Sequence, residues 1–111
     1  LLIRAGRKEE AMLSLQQAYR LGPENPRLGY VYGIALENGG QRERAIGVWD
    51  TVVKRHPNDQ ETLNVLTMSL YKAGEHRRAL AHAEHLASLY GNDQGWQQVV
   101  DVIRQAAARM P

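Results

Sequence analysis

The chain repeats itself every 34 residues, and that period restricts its fold more than any bulk property does. Gly6, Gly40 and Gly74 stand 34 apart, and Ala11, Ala45 and Ala79 follow in the same register. Pro23 and Pro57 continue it, with Gly91 in the third place. The strings after each glycine agree as well: Gly-Arg-Lys-Glu-Glu-Ala from Gly6, Gly-Gln-Arg-Glu-Arg-Ala from Gly40 and Gly-Glu-His-Arg-Arg-Ala from Gly74. Each repeat of such a length is one supersecondary unit, which buries its apolar face only against its neighbours.

Apolar residues inside each unit recur three or four apart, the spacing of one helical face. Met12, Ile46 and Leu80 correspond, as do Leu15, Trp49 and Ala83, and Ala18, Val52 and Leu86. The glycines predict tight turns between helices, where a left-handed backbone carries no steric cost. The alanines let two helices approach closely, and each proline ends a helix. These signals predict helices over about 1–5, 8–21, 26–38, 42–55, 59–73, 76–89 and 94–109. Asn25 caps a helix opening on Pro26, and Asn58 with Glu61 resembles a capping box. Asn92 and Asp93 open the last helix.

On these residues the chain resembles the tetratricopeptide repeat family, whose pattern is W-x2-L-G-x2-Y, A-x3-F and P over 34 residues. The middle unit shows Gly29, Tyr32, Gly33, Leu36, Ala45, Trp49 and Pro57 at those places. The third shows Leu63, Leu66, Thr67, Leu70, Ala79, Ala83 and Gly91, so Thr67 replaces the packing glycine and Ala83 the large residue. The resemblance covers about residues 1–91. It implies an all-α fold, a right-handed α-α superhelix of antiparallel helix pairs closed by a C-terminal capping helix. The expected division is a partial repeat over 1–25, full repeats over 26–59 and 60–93, and the cap over 94–111. On the cap, Trp96, Val99, Val100, Ile103, Ala106, Ala107 and Met110 form one apolar stripe. Gln97, Asp101, Arg104 and Arg109 face away from it.

The resemblance further implies that the first helix of each pair lines an inner groove holding a peptide or partner protein. Position by position this gives Arg27, Tyr30, Ile34, Glu37 and Asn38 from the middle unit, and Glu61, Asn64, Met68, Tyr71 and Lys72 from the third. Tyrosine offers large contact area at low entropy cost, and methionine adapts to irregular shapes. Some family members clamp a C-terminal carboxylate at set groove positions. Here those places include Tyr30, Ile34 and Met68, and only Asn64 suits a clamp.

Other chemistry finds little support. Cysteine is absent, which removes disulfides and thiolate chemistry. His82 and His85 are three apart on one helix but lack a third ligand of matching spacing, so no metal or other cofactor is expected. His76 and His56 read as turn residues. Ser14, Ser69 and Ser88 have no flanking acid–base partner, and Gly39-Gly40 lies between helices with no strand leading in, so an enzyme is not expected. The formal charge is only +2. Arg42, Arg44, Lys54 and Arg55, with Arg77 and Arg78 on the next equivalent helix, offer a convex basic patch as the alternative, a nucleic-acid surface. Glu43, Asp50 and Glu75 dilute it.

The chain opens on Leu1-Leu2-Ile3 without methionine, which reads as part of a longer protein. Those residues read as the end of a severed helix, so the uncapped N-terminal end is expected to self-associate or to rest on further repeats. Tyr30-Val-Tyr-Gly-Ile-Ala-Leu-Glu, with Arg-His-Pro-Asn-Asp over 55–59, resembles bacterial repeat domains appended to larger proteins. No apolar run reaches the roughly 20 residues of a membrane span. Cytoplasm and periplasm both remain open.

Overall fold

A computed structural model describes residues 2–90 and 94–109, with side chains described for 7–90 and 95–109. The described residues form six α-helices and no strand. These are α1 Leu2–Leu21, α2 Pro26–Asn38, α3 Arg42–Arg55, α4 Gln60–Lys72, α5 His76–Leu89 and α6 Gln94–Ala108. The chain divides into two compact units, Leu1–His56 and Pro57–Pro111.

In the first unit α2 packs against both α1 and α3. Asn25 caps α2 by accepting the Arg27 amide at 3.0 Å, and Pro26 stands at the first position, where no amide is needed. The buried stripe of α2 is Gly29, Tyr32, Gly33 and Leu36, and that of α3 is Ala45, Ile46, Trp49 and Val52. Trp49 is fully buried, and its indole N–H donates to the Tyr30 carbonyl at 3.2 Å. Gly33 makes that possible. A Cβ there would lie 2.1 Å from Trp49 Nε1, so the indole packs directly against bare backbone.

In the second unit α5 packs against α4 and α6. Leu63, Leu66, Thr67 and Leu70 of α4 meet Ala79, Ala83, Leu86 and Ala87 of α5, all buried. The repeat register reveals an exchange of bulk between the two units. Gly33 and Trp49 correspond to Thr67 and Ala83, both buried, so the larger side chain of the pair moves to the first helix. The Thr67 hydroxyl stays satisfied in the core by donating to the Leu63 carbonyl at 2.7 Å. Val100 and Ile103 of α6 are buried as expected of its apolar stripe.

Two of the three matched glycines sit where the sequence puts them. Gly40 and Gly74 have φ of 82° and 83°. Each closes the same turn: Gln41 N–H donates to the Leu36 carbonyl and Glu75 N–H to that of Leu70, both at 2.9 Å. Gly6 does not. It lies inside α1, so the helices expected over 1–5 and 8–21 are one continuous helix. Good helix formers flank Gly6 on both sides, and glycine in a helix interior costs only about 1 kcal/mol.

The cap of α4 also differs. Asp59, not Asn58, accepts the Thr62 amide at 3.2 Å and the Thr62 hydroxyl at 2.5 Å. Asn58 is used elsewhere: His85 Nε2 donates to its Oδ1 at 3.0 Å and to the Pro57 carbonyl at 3.1 Å. The expected turn at Gly91, the Asn92-Asp93 opening and Met110 lie outside the described residues.

Candidate functional site: the first-helix faces

The groove residues expected of the first unit lie on α2, away from its Gly29–Tyr32–Gly33–Leu36 stripe. Arg27 is exposed and its guanidinium stacks over the Tyr30 ring, 5.4 Å from the centroid. Tyr30 and Ile34 are half-buried. Glu37 is half-buried and pairs with Arg42 Nε at 3.9 Å. Asn38 is exposed and also borders a cleft between α1 and α2 lined by Lys8, Met12, Leu15 and Ala35.

In the second unit the expected residues lie on α4. Glu61, Asn64, Met68 and Lys72 are exposed, and Tyr71 is half-buried. Met68 is 41% exposed, next in sequence to the buried Thr67 and Ser69. Tyr71 is held from behind by the His76 ring, with centroids 4.9 Å apart. His76 is therefore a packing residue at the start of α5, not the solvated turn residue that its neighbours suggest. Met68 and Tyr71 line a shallow dent of about 70 Å3 together with Val99, Val102 and Ile103 of α6. Val102 fell outside both the apolar stripe and the polar face read from the sequence, yet it is 55% exposed.

The other candidate groups carry structural duties. His56 Nε2 donates to the Glu24 carbonyl at 2.7 Å, and His85 holds the α4 entry loop. No group of three or more metal-binding side chains gathers among the described residues. Ser88 donates to the His85 carbonyl at 2.7 Å, and Ser69 is buried. Of the basic residues, Arg44 is committed to Gln41 Oε1 at 2.6 Å and to the Tyr32 hydroxyl at 3.3 Å. Among the described residues no helix is long and apolar enough to cross a membrane.

The face of α1 differs from its counterparts. Ala45 and Ala79 are fully buried beneath the preceding helix, whereas Ala11, their equivalent, is exposed. Met12 and Leu15 are only half-buried, and Leu13 and Leu21 are exposed.

Paired helices joined by left-handed glycine turns, in a 34-residue register, define a helical-repeat interaction scaffold. The tetratricopeptide repeat family model matches residues 2–68, and the chain belongs to that family. Among solved structures it is similar to MamA from Desulfovibrio magneticus RS-1, residues 41 to the end, with 28% identity and a TM-score of 0.78. That match covers 95% of this chain and 59% of the other. A second similar structure, the MamA RS-1 ArsTM double mutant, gives 27% identity and a TM-score of 0.80 over 96% of this chain and 60% of that one. The chain thus spans about 60% of the length of the structures it matches. A search of curated proteins gave no match.

Proposed function

We propose that the chain binds a peptide or a segment of a partner protein through the exposed faces of α2 and α4, and that it catalyses no reaction. Arg27, Tyr30, Ile34, Glu37 and Asn38 form one strip, and Glu61, Asn64, Met68, Tyr71 and Lys72 the other. The carrying observation is Met68, exposed beside a tyrosine ring that His76 already holds in place. A preoriented ring loses little freedom when a ligand settles on it, so more of the contact energy appears as affinity. The experiment is an affinity pull-down comparing wild type with Tyr30→Ala and Met68→Asp, partners being read by mass spectrometry. Loss of the same partner from both variants supports the reading; retention in both overturns it. A salt titration separates this from a nucleic-acid surface. Phosphate contacts lose affinity steeply with salt, whereas contacts by aromatic and thioether groups depend on it weakly.

A second reading rests on α1. Its Ala11 register position is open, whereas Ala45 and Ala79 are covered, so this face suits a helix from a second copy of the chain. Sedimentation across a concentration series tests it. A concentration-dependent dimer that Leu15→Asp dissolves supports self-association through α1; a strict monomer removes it.

A further inference from the structure

The 34-residue register extends to α6. It places Gln98 in line with Tyr30 and Asn64, Val102 in line with Ile34 and Met68, and Gln105 in line with Glu37 and Tyr71. The helix read as a cap therefore presents a first-helix face of its own. Its exposures agree: Gln98, Val102 and Gln105 are all exposed, while Val100 and Ile103 are buried. Val102 meets Met68 and Tyr71 in the dent between α4 and α6, whose lining side chains are Met68, Tyr71, Val99, Val102 and Ile103.

We propose that α6 is a binding helix, and that its Val102, with Met68 and Tyr71, receives one aliphatic side chain from an uncharged stretch of a partner polypeptide. This rests on the groove-binding reading above and names the ligand chemistry of its second strip. Size and charge select the occupant. The dent of about 70 Å3 exceeds several-fold the roughly 10–15 Å3 that one water needs, so a branched aliphatic group is accommodated. It offers a tyrosine ring and a thioether but no charged group. The flanking register positions hold carboxamides, Asn64 on α4 and Gln98 and Gln105 on α6, which suit the backbone amides of an extended ligand. The nearest charges on α6 are committed elsewhere. Arg104 reaches Asp101 at 3.4 Å and Glu84 of α5 at 3.6 Å. Lys72, one turn beyond Met68, does not line the dent. A carboxylate or ammonium group set there would lose hydration and find no counter-charge.

The probe is a phage-displayed library of random peptides selected on the immobilised full chain, with affinities of the selected peptides measured by calorimetry. The expected consensus is a leucine, isoleucine or methionine between uncharged residues. Val102→Asp is expected to weaken such peptides by at least about tenfold, whereas the isosteric Val102→Thr weakens them less, since it keeps the shape and adds no charge. Circular dichroism and thermal melting confirm that both variants fold. An acidic or basic consensus, or binding indifferent to Val102→Asp, overturns the proposal. Peptides insensitive at Val102 but lost on Tyr30→Ala would overturn it while leaving the groove reading intact. Failure to select any binder would sink both.

Discussion

Gly33 and Trp49 are matched surfaces: the indole of one lies where the side chain of the other would have to be, with only 2.1 Å between Nε1 and a Cβ built at Gly33. The indole N–H then finds the Tyr30 carbonyl on the same helix. Gly33→Ala must push the indole off α2, an overpacking change that costs typically about 1–3 kcal/mol. Trp49→Ala opens a cavity in its place and costs about 3–5 kcal/mol. Urea unfolding monitored by circular dichroism measures both.

The exchanged pair in the second unit is predicted to behave as one coupled site. Ala83→Trp alone collides with Thr67 and destabilises. Adding Thr67→Gly, which alone costs about 0.5–1 kcal/mol as a helix-interior glycine, is expected to recover part of that loss. A double-mutant cycle should return a coupling of about 1 kcal/mol or more, and simple additivity would show that the two side chains do not share space.

Two adjacent loop residues should separate cleanly. Asp59→Ala removes the cap of α4 and is expected to cost about 0.5–2 kcal/mol. Asn58→Ala removes only an exposed contact with His85, which keeps the Pro57 carbonyl, so its cost should stay within about 0.5 kcal/mol. Denaturant midpoints of the two variants provide the check, and the reverse order would return the cap to Asn58.

A peptide ending in the acidic C-terminus of a chaperone is expected to show no saturable heat of binding. A carboxylate clamp needs cationic and carboxamide donors together, and at Tyr30, Ile34, Asn64 and Met68 only Asn64 is of that kind. Tyr30, Ile34 and Met68 offer contact area instead. Micromolar affinity in calorimetry would contradict this.

Most of the helical layout was legible in the sequence because period and packing come from the same cause. Residues three and four apart must share a face, so the register that aligns Ala45 with Ala79 also names two buried positions. Asn25 with Pro26 likewise announces a helix start from local chemistry alone. Gly6 misled because its string matches those after Gly40 and Gly74, while its turn depends on more than a string. A left-handed glycine is stabilised when the next amide reaches back to a helix already packed, as Gln41 does to Leu36 and Glu75 to Leu70. Asn58 misled because two good capping residues stand side by side. The register would have chosen correctly, since Asp59 aligns with Asn25.

The groove strips were harder to read. Exposure of Met68 follows from its spacing off the buried face, but the support that Tyr71 receives from His76 crosses a turn and leaves no periodic trace. Val102 goes unnoticed because the capping role gives α6 a single apolar side. Only by aligning it as a further first helix does its third face become visible.

The exchange of bulk between Gly33–Trp49 and Thr67–Ala83 bears on how a repetitive chain assembles. Near-identical units invite wrong partnerships while folding, helix against the wrong helix. Here α4 taking the place of α2 in its hairpin with α3 would drive a threonine into an indole, and α2 taking the place of α4 in its hairpin with α5 would leave bare backbone facing a methyl group with a hole between them. One mismatch is a collision and the other a void, so the two hairpins carry keys of different cut and each admits only its own mate.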